Sequence, residues 1–208
     1  MTQAALAVYS AFLVFLALGL ANIAYWRGWP QHLSRKVPHI AAAVPIAMAP
    51  LFFQDIWYPL GLCLAFLLLL LAGHRFGLFP GTIQRGRFSE LGFPLALLAP
   101  IALFWNVNPW IAVLPGLGVA IGDAVAGLVR FFLYRRQVKG WWGSAACFGT
   151  IAAMAILIVT PLWLGLVAAL AGTLAERYSG DSQGAILYLD DNLTLPLAMT
   201  VVLLGVLL

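Results

Sequence analysis

Trp110 to Arg130 reads Trp-Ile-Ala-Val-Leu-Pro-Gly-Leu-Gly-Val-Ala-Ile-Gly-Asp-Ala-Val-Ala-Gly-Leu-Val-Arg. Only Asp123 and the terminal Arg130 are charged. A helix needs about 20 apolar residues to cross a bilayer core, and this stretch supplies them. At 1.5 Å of rise per residue, Asp123 lies about 10 Å from Arg130 along the axis. An acid at the centre of such a helix costs at least about 2.5 kcal/mol on insertion scales, so Asp123 is a functional candidate by default. Gly116, Ala120, Asp123, Gly127 and Arg130 fall on one face at three- and four-residue spacing. Small residues on that face let a second helix or a ligand come close. Three readings of Asp123 stay open at this point: a salt bridge to an arginine of another helix, a metal site, or a proton site.

The same apolar pattern recurs on both sides. Of 208 residues, 63% are hydrophobic and 9% are charged, and the mean hydropathy is +0.99. A soluble domain of that composition would expose large apolar patches to water. The pattern predicts transmembrane spans at about 4–25, 39–53, 57–72, 91–105, 110–130, 144–163, 165–175 and 192–208. The expected architecture is an all-α, polytopic membrane helical bundle of seven or eight transmembrane helices, a single domain over 1–208. Pro45, Pro50, Pro100 and Pro115 fall inside these spans and should bend or break them. The 165–175 segment is short enough to be re-entrant. No positive charge precedes the first apolar run and no small-residue cleavage site follows it. It ends in Tyr25-Trp26-Arg27, an interfacial anchor, and reads as a permanent span. Cys63 and Cys147 sit inside apolar runs and read as packing thiols, with no disulfide framework. The two halves do not match, as those of an inverted-repeat transporter should.

Eleven basic residues against seven acidic ones would suggest a nucleic-acid partner in a soluble protein. Here membrane topology accounts for them, and no nucleic acid is expected. With eight spans and the N-terminus outside, the inside loops are 27–38, 73–90, 131–143 and 176–191. These loops hold Arg27, Arg35, Lys36, Arg75, Arg85, Arg87, Arg135, Arg136, Lys139 and Arg177, with Arg130 at an edge. The outside connections hold no basic residue, which is the positive-inside pattern.

Other polar groups also need a reason. Asp190-Asp191-Asn192 stands at the inner mouth of the last span. Adjacent carboxylates repel, a cation relieves them, and hard oxygen ligands suit Mg²⁺. A helix N-cap is the competing reading for one of the two acids. Ser34-Arg35-Lys36 leads into His39 at the membrane edge. Lys139 and Ser144 bracket Gly140-Trp141-Trp142-Gly143. Fixed cations beside backbone amides at a helix start favour phosphate, and His39 is either an interfacial hydrogen-bonder or a base. Glu90 begins a span, where the helix dipole favours an acid. Glu176 ends one, where the dipole opposes it and a basic partner or a function is needed. The chain has no Walker loop and no protein-kinase motif set.

These positions resemble the family of phytol kinase, dolichol kinase and CTP-dependent diacylglycerol kinase, more distantly similar to CDP-diacylglycerol synthase. Arg35, Lys36 and His39 match its Arg-Lys-x-x-His element. Gly122, Asp123, Ala126 and Gly127 match part of its Gly-Asp element. Lys139, Gly143 and Ser144 match its lysine motif, and Asp191, Asn192, Leu193, Thr194 and Pro196 match its ending. The doubled Asp190-Asp191 looks most like phytol kinase, and Glu176 matches an acid that precedes this ending. Gly140 departs from the family's serine, and Trp142 stands where many relatives carry glutamate. The resemblance implies transfer of the γ-phosphoryl group of CTP to a membrane-resident lipid alcohol. It implies Mg²⁺ held by Asp123, Asp191 and Asp190. It implies phosphates clamped by Arg35, Lys36 and Lys139 with Ser144 and Asn192, and a hydroxyl proton taken by His39 or an acid. The alternatives are a CTP-using cytidylyltransferase, a small ion-coupled transporter and a silent membrane scaffold. The identity of the alcohol (phytol, a shorter prenol, a polyprenol or diacylglycerol) and the oligomeric state stay open.

Overall fold

The computed structural model describes residues 2–83, 89–135, 138–179 and 190–208. Arg85, Arg87 and Arg136 of the expected inside loops lie outside the described residues. Eight long helical segments occupy the places where eight spans are expected: α1 (Gln3–Trp26), α3 (Lys36–Phe52), α4 (Trp57–Phe76), α5 (Ser89–Phe104), a composite helix over Pro109–Tyr134, α8 (Trp141–Ile158), α9 (Leu162–Tyr178) and α10 (Asp191–Leu203). A single turn, α2 (Gln31–Ser34), precedes α3. No strand is formed among the described residues.

Four of these helices are long and apolar enough to cross a membrane: Gln3–Trp26, Trp57–Phe76, Pro109–Tyr134 and Trp141–Ile158. The other four are shorter. The segment expected at 165–175 is a continuous helix of 17 residues, Leu162–Tyr178. The segment expected at 144–163 starts and stops earlier, because α8 begins after Gly140 and ends at Ile158, three residues before Pro161.

The composite helix is the axis of the fold. Its most apolar window is 78% buried, against 17% for α1 and for α4. It packs on α3, α5, α8 and α10. It begins with Asn108, whose side chain accepts from the Trp110 N–H while Pro109 occupies the first turn, where a missing N–H is harmless. It then runs as α6 (Pro109–Leu117), a π-helical segment (Gly118–Asp123) and α7 (Ala124–Tyr134). The glycines explain how neighbours approach it. A Cβ on Gly118 would lie 2.9 Å from Met199 Sδ of α10, and one on Gly122 2.9 Å from Ile151 Cγ1 of α8.

The outward face is apolar. Val8, Phe12 and Phe15 of α1 and Leu68 of α4 are more than half exposed, and Leu157 of α8 is 87% exposed. Such a surface belongs in hydrocarbon or against a partner, not in water. The structure is thus an all-α helical bundle with a lipid-compatible exterior.

Candidate active site

Six charged side chains from five segments meet at one end of the bundle. They come from the start of α3, the π-helical segment and α7, the connection before α8, the end of α9 and the start of α10. Lys36 Nζ donates to Asp123 Oδ2 at 2.5 Å. Arg130 grips Glu176 with two parallel bonds of 2.7 Å. Lys139 Nζ donates to Glu176 Oε1 at 2.6 Å, to the Glu176 carbonyl at 2.7 Å and to Asp191 Oδ2 at 2.7 Å. Glu176 is fully buried, and Asp123, Arg130 and Lys139 are buried. Three acids and three cations balance formally, which is what lets so many charges leave water together.

One carboxylate oxygen from each of Asp123, Glu176 and Asp191 lies within 4.8 Å of the others. The structure therefore brings Asp123 and Asp191 together, although 68 residues separate them in sequence. The donor set is all hard oxygen, which suits Mg²⁺ and its retained waters. Glu176 is the third acid, in place of Asp190. The Asp190 side chain instead accepts from the Asn192 N–H and caps α10. Burial first, and the charge of Asp191 second, push Asp190 up to about 7. At Lys139, burial works toward neutrality, but the charges of Asp191, Glu176 and Asp123 outweigh it and hold the ammonium above its ordinary value. Lys139 is a fixed cation across the working pH range.

The placement of Asp123 depends on the π-helical segment. An i→i+5 turn widens the helix and often marks a functional site. The three- and four-residue face expected through Ala120 and Asp123 therefore does not run straight. Asp123 meets Lys36 of another helix; in the salt-bridge reading, one of the three left open, the partner was to be an arginine. Gly127, one turn on, faces the same lysine: a Cβ there would stand 2.9 Å from Lys36 Cε. The glycines around the connection to α8 are equally specific. A Cβ on Gly143 would be driven into Arg130, 2.3 Å from its Nε, and one on Gly140 would be 2.4 Å from the Tyr134 ring. A side chain at 140, where the resembled family has serine, would oblige the outer end of the Tyr134 ring to shift.

The other expected residues take positions around this core. His39 lies three residues after Lys36 on α3, so the two share a face. Its ring is buried and stacked on Phe93 at 5.6 Å and 15°, and its Nδ1 has no hydrogen-bond partner among the described residues. Asn192 donates to the Ser89 carbonyl at 3.3 Å, and its buried Oδ1 is likewise unpartnered there. Buried polar atoms without partners call for an explanation, and a bound ligand is one. Ser144 is turned to a different neighbour, accepting from Arg177 Nη1 at 3.3 Å. Arg177 lies over the Trp141 ring at 3.7 Å.

A second group stands beside the first. Arg35 Nη2 reaches Ser89 Oγ at 2.8 Å and Glu90 Oε1 at 3.4 Å, while His74 Nε2 is 3.5 Å from Glu90 Oε2. Sequence reasoning placed Glu90 at a helix start for the dipole alone, and His74 not at all. Glu90 is buried, so its carboxylate needs the Arg35 guanidinium and the His74 ring beside it. The pairing of Arg130 with Glu176 was also not foreseen. The signal for it was present in an acid at a helix C-terminus, where the dipole is unfavourable.

No family model, curated protein or solved structure matches this chain.

Proposed function

We propose that this chain is an integral membrane kinase that transfers the γ-phosphoryl group of CTP to a lipid alcohol at the cytoplasmic face. In this reading all eight long helices span the membrane, the shorter ones tilted little or lying where the bilayer thins. The N-terminus is outside, and the charged end faces the cytoplasm, as the partition of lysines and arginines favours. The observation that carries the reading is the convergence of Asp123, Glu176 and Asp191 within 4.8 Å, with Lys36, Arg130 and Lys139 interleaved among them.

The charge balance suggests how the site accommodates its ligand. Each acid is paired with a cation of the protein. A nucleotide triphosphate with its magnesium brings both signs at once, so the pairs can re-sort without leaving a charge uncompensated. Lys36 and Lys139, on flexible stems, turn from carboxylate to phosphate oxygen as point charges. Arg35 is held at the same entrance by Ser89 and Glu90 and adds a planar donor set. Asp123 and Asp191, with Glu176, are the residues that would hold Mg²⁺, which would neutralise charge on the transferring group. His39, one turn inside Lys36, is placed to orient the alcohol or take its proton. Phosphoryl transfer asks for positioning and neutralisation more than covalent chemistry, and the cluster is built of groups that do both.

Incubation with γ-labelled CTP, Mg²⁺ and a panel of lipid alcohols and lipid phosphates tests the proposal. Label in the lipid is the expected result. Release of pyrophosphate with a cytidylylated lipid would identify a cytidylyltransferase instead. Consumption of no nucleotide, with substrate flux in sealed vesicles, would identify a transporter.

A further inference from the structure

An apolar cavity of about 190 Å³ lies below the charged end, between α1, α3, α4, α5 and the start of α6. Its existence has a local cause. Pro45 of α3 and Pro94 of α5, both inside their helices, line it, and a proline there removes a backbone hydrogen bond and favours a bend; Pro59 lines it from the first turn of α4, where no bond is lost. Ala42, Ala49 and Ala112 also line it, and their short side chains leave the space open. The space is partly open to the outside of the bundle, so a chain can enter it. Its lining is almost wholly apolar, with the hydroxyl of Ser10 as the exception. Water finds too few partners in such a space, and hydrocarbon suits it.

The cavity adjoins the proposed active site across Phe93. Phe93, which lines it, is the ring on which His39 stacks, and Ala42 lies one turn below His39 on α3. From His39 to Ala49 is ten residues of helix, about 15 Å. That is about one leaflet of a hydrocarbon core roughly 30 Å thick. We propose that this cavity holds the hydrocarbon tail of the alcohol substrate, with the hydroxyl at His39 and the chain running down α3 and α5 to a floor at Ala49. The inference rests on the kinase reading for the identity of the head group. It adds that the tail is selected inside the protein, and that its length is measured against Ala49.

Two measurements on the full chain in nanodiscs test it. Irradiation with a long-chain alkanol carrying a mid-chain diazirine, without nucleotide, should place adducts on the cavity faces of α3 and α5. Excess phytol should reduce these adducts at least tenfold, and excess diacyl phospholipid should not. Ala49→Phe, which raises the floor, should increase the ratio of KM for phytol to KM for geraniol at least fivefold. Adducts displaced by phospholipid but not by phytol would show a groove for bilayer chains and overturn the proposal. So would adducts confined to the outer faces of the helices. If phytol displaces the probe but no alcohol is phosphorylated from CTP, the tail site stands and the kinase reading falls.

Discussion

Two groups of buried acid share one end of the bundle, and they are built differently. Among the described residues, Glu90 is one carboxylate between the Arg35 guanidinium and the His74 ring. Asp123, Glu176 and Asp191 are three carboxylates crowded within 4.8 Å and held apart by three cations. A lone acid with two partners is what a fold needs to bury one charge. Three acids at that spacing repel one another in every arrangement except with cations among them, and such a cluster has no purpose in holding helices together that apolar packing would not serve better. On the proposed function, the contrast is between a group that serves the fold and one suited to a multivalent, exchangeable ligand.

The contrast can be broken or sharpened by substitution. Glu176→Gln should have the largest effect, because it leaves Arg130 buried without its bidentate partner. Losing one member of a buried pair costs about 3–5 kcal/mol, and the variant should unfold at a clearly lower temperature in detergent. Asp123→Asn should insert and fold, yet lose about 10²–10³ in turnover, the usual scale for removing one electrostatic contact at a reacting centre. Wild-type turnover in that variant would remove Asp123 from the mechanism. Mg²⁺ should raise the melting temperature of the wild type, by an amount equivalent to about 2.7 kcal/mol at a concentration 100 times its dissociation constant. Asp191→Asn should lose most of that increment, and Glu90→Gln should keep it. Glu90→Gln should itself cost about 1–3 kcal/mol of stability, the scale for disturbing a buried hydrogen-bonded group. The smallest effect should come from Trp141→Ala, which removes the ring under Arg177 at an exposed site and should cost about 0.5–1 kcal/mol. If Glu90→Gln abolished the Mg²⁺ response as fully as Asp191→Asn, the division between the two groups would collapse.

The helices were legible in the sequence because a bilayer imposes a length. Each apolar run of sufficient extent became a helix, and the largest departures, at α8 and α9, fall around Pro161. Asp123 and Asp191 were legible because charge beside or inside an apolar run is costly wherever the chain goes. Glu176 was half legible: its position at a helix end demanded a partner but did not say that Arg130 and Lys139 would supply it. Asp190 and Asp191 could not be told apart, because one residue of helix phase decides which caps and which points inward. The π-helical segment left no mark, since Gly-Val-Ala-Ile-Gly-Asp suits an ordinary turn equally well. The apolar cavity left none either. It depends on which faces of α3, α4 and α5 are turned toward one another, and that is a property of packing.

The wide turns at Gly118–Asp123 have a consequence for how this chain tolerates change. They hold one residue more than a regular helix would need over the same rise. Removing Ala120 would let the backbone close into the tighter winding while the turns on either side keep their phase. Asp123 would stay on the Lys36 side, and Arg130 would stay against Glu176. Removing Leu128 from the regular turns of α7 would instead rotate everything beyond it by about 100°. The first deletion would be absorbed, and the second would carry the Arg130 guanidinium off the Glu176 carboxylate without touching either side chain.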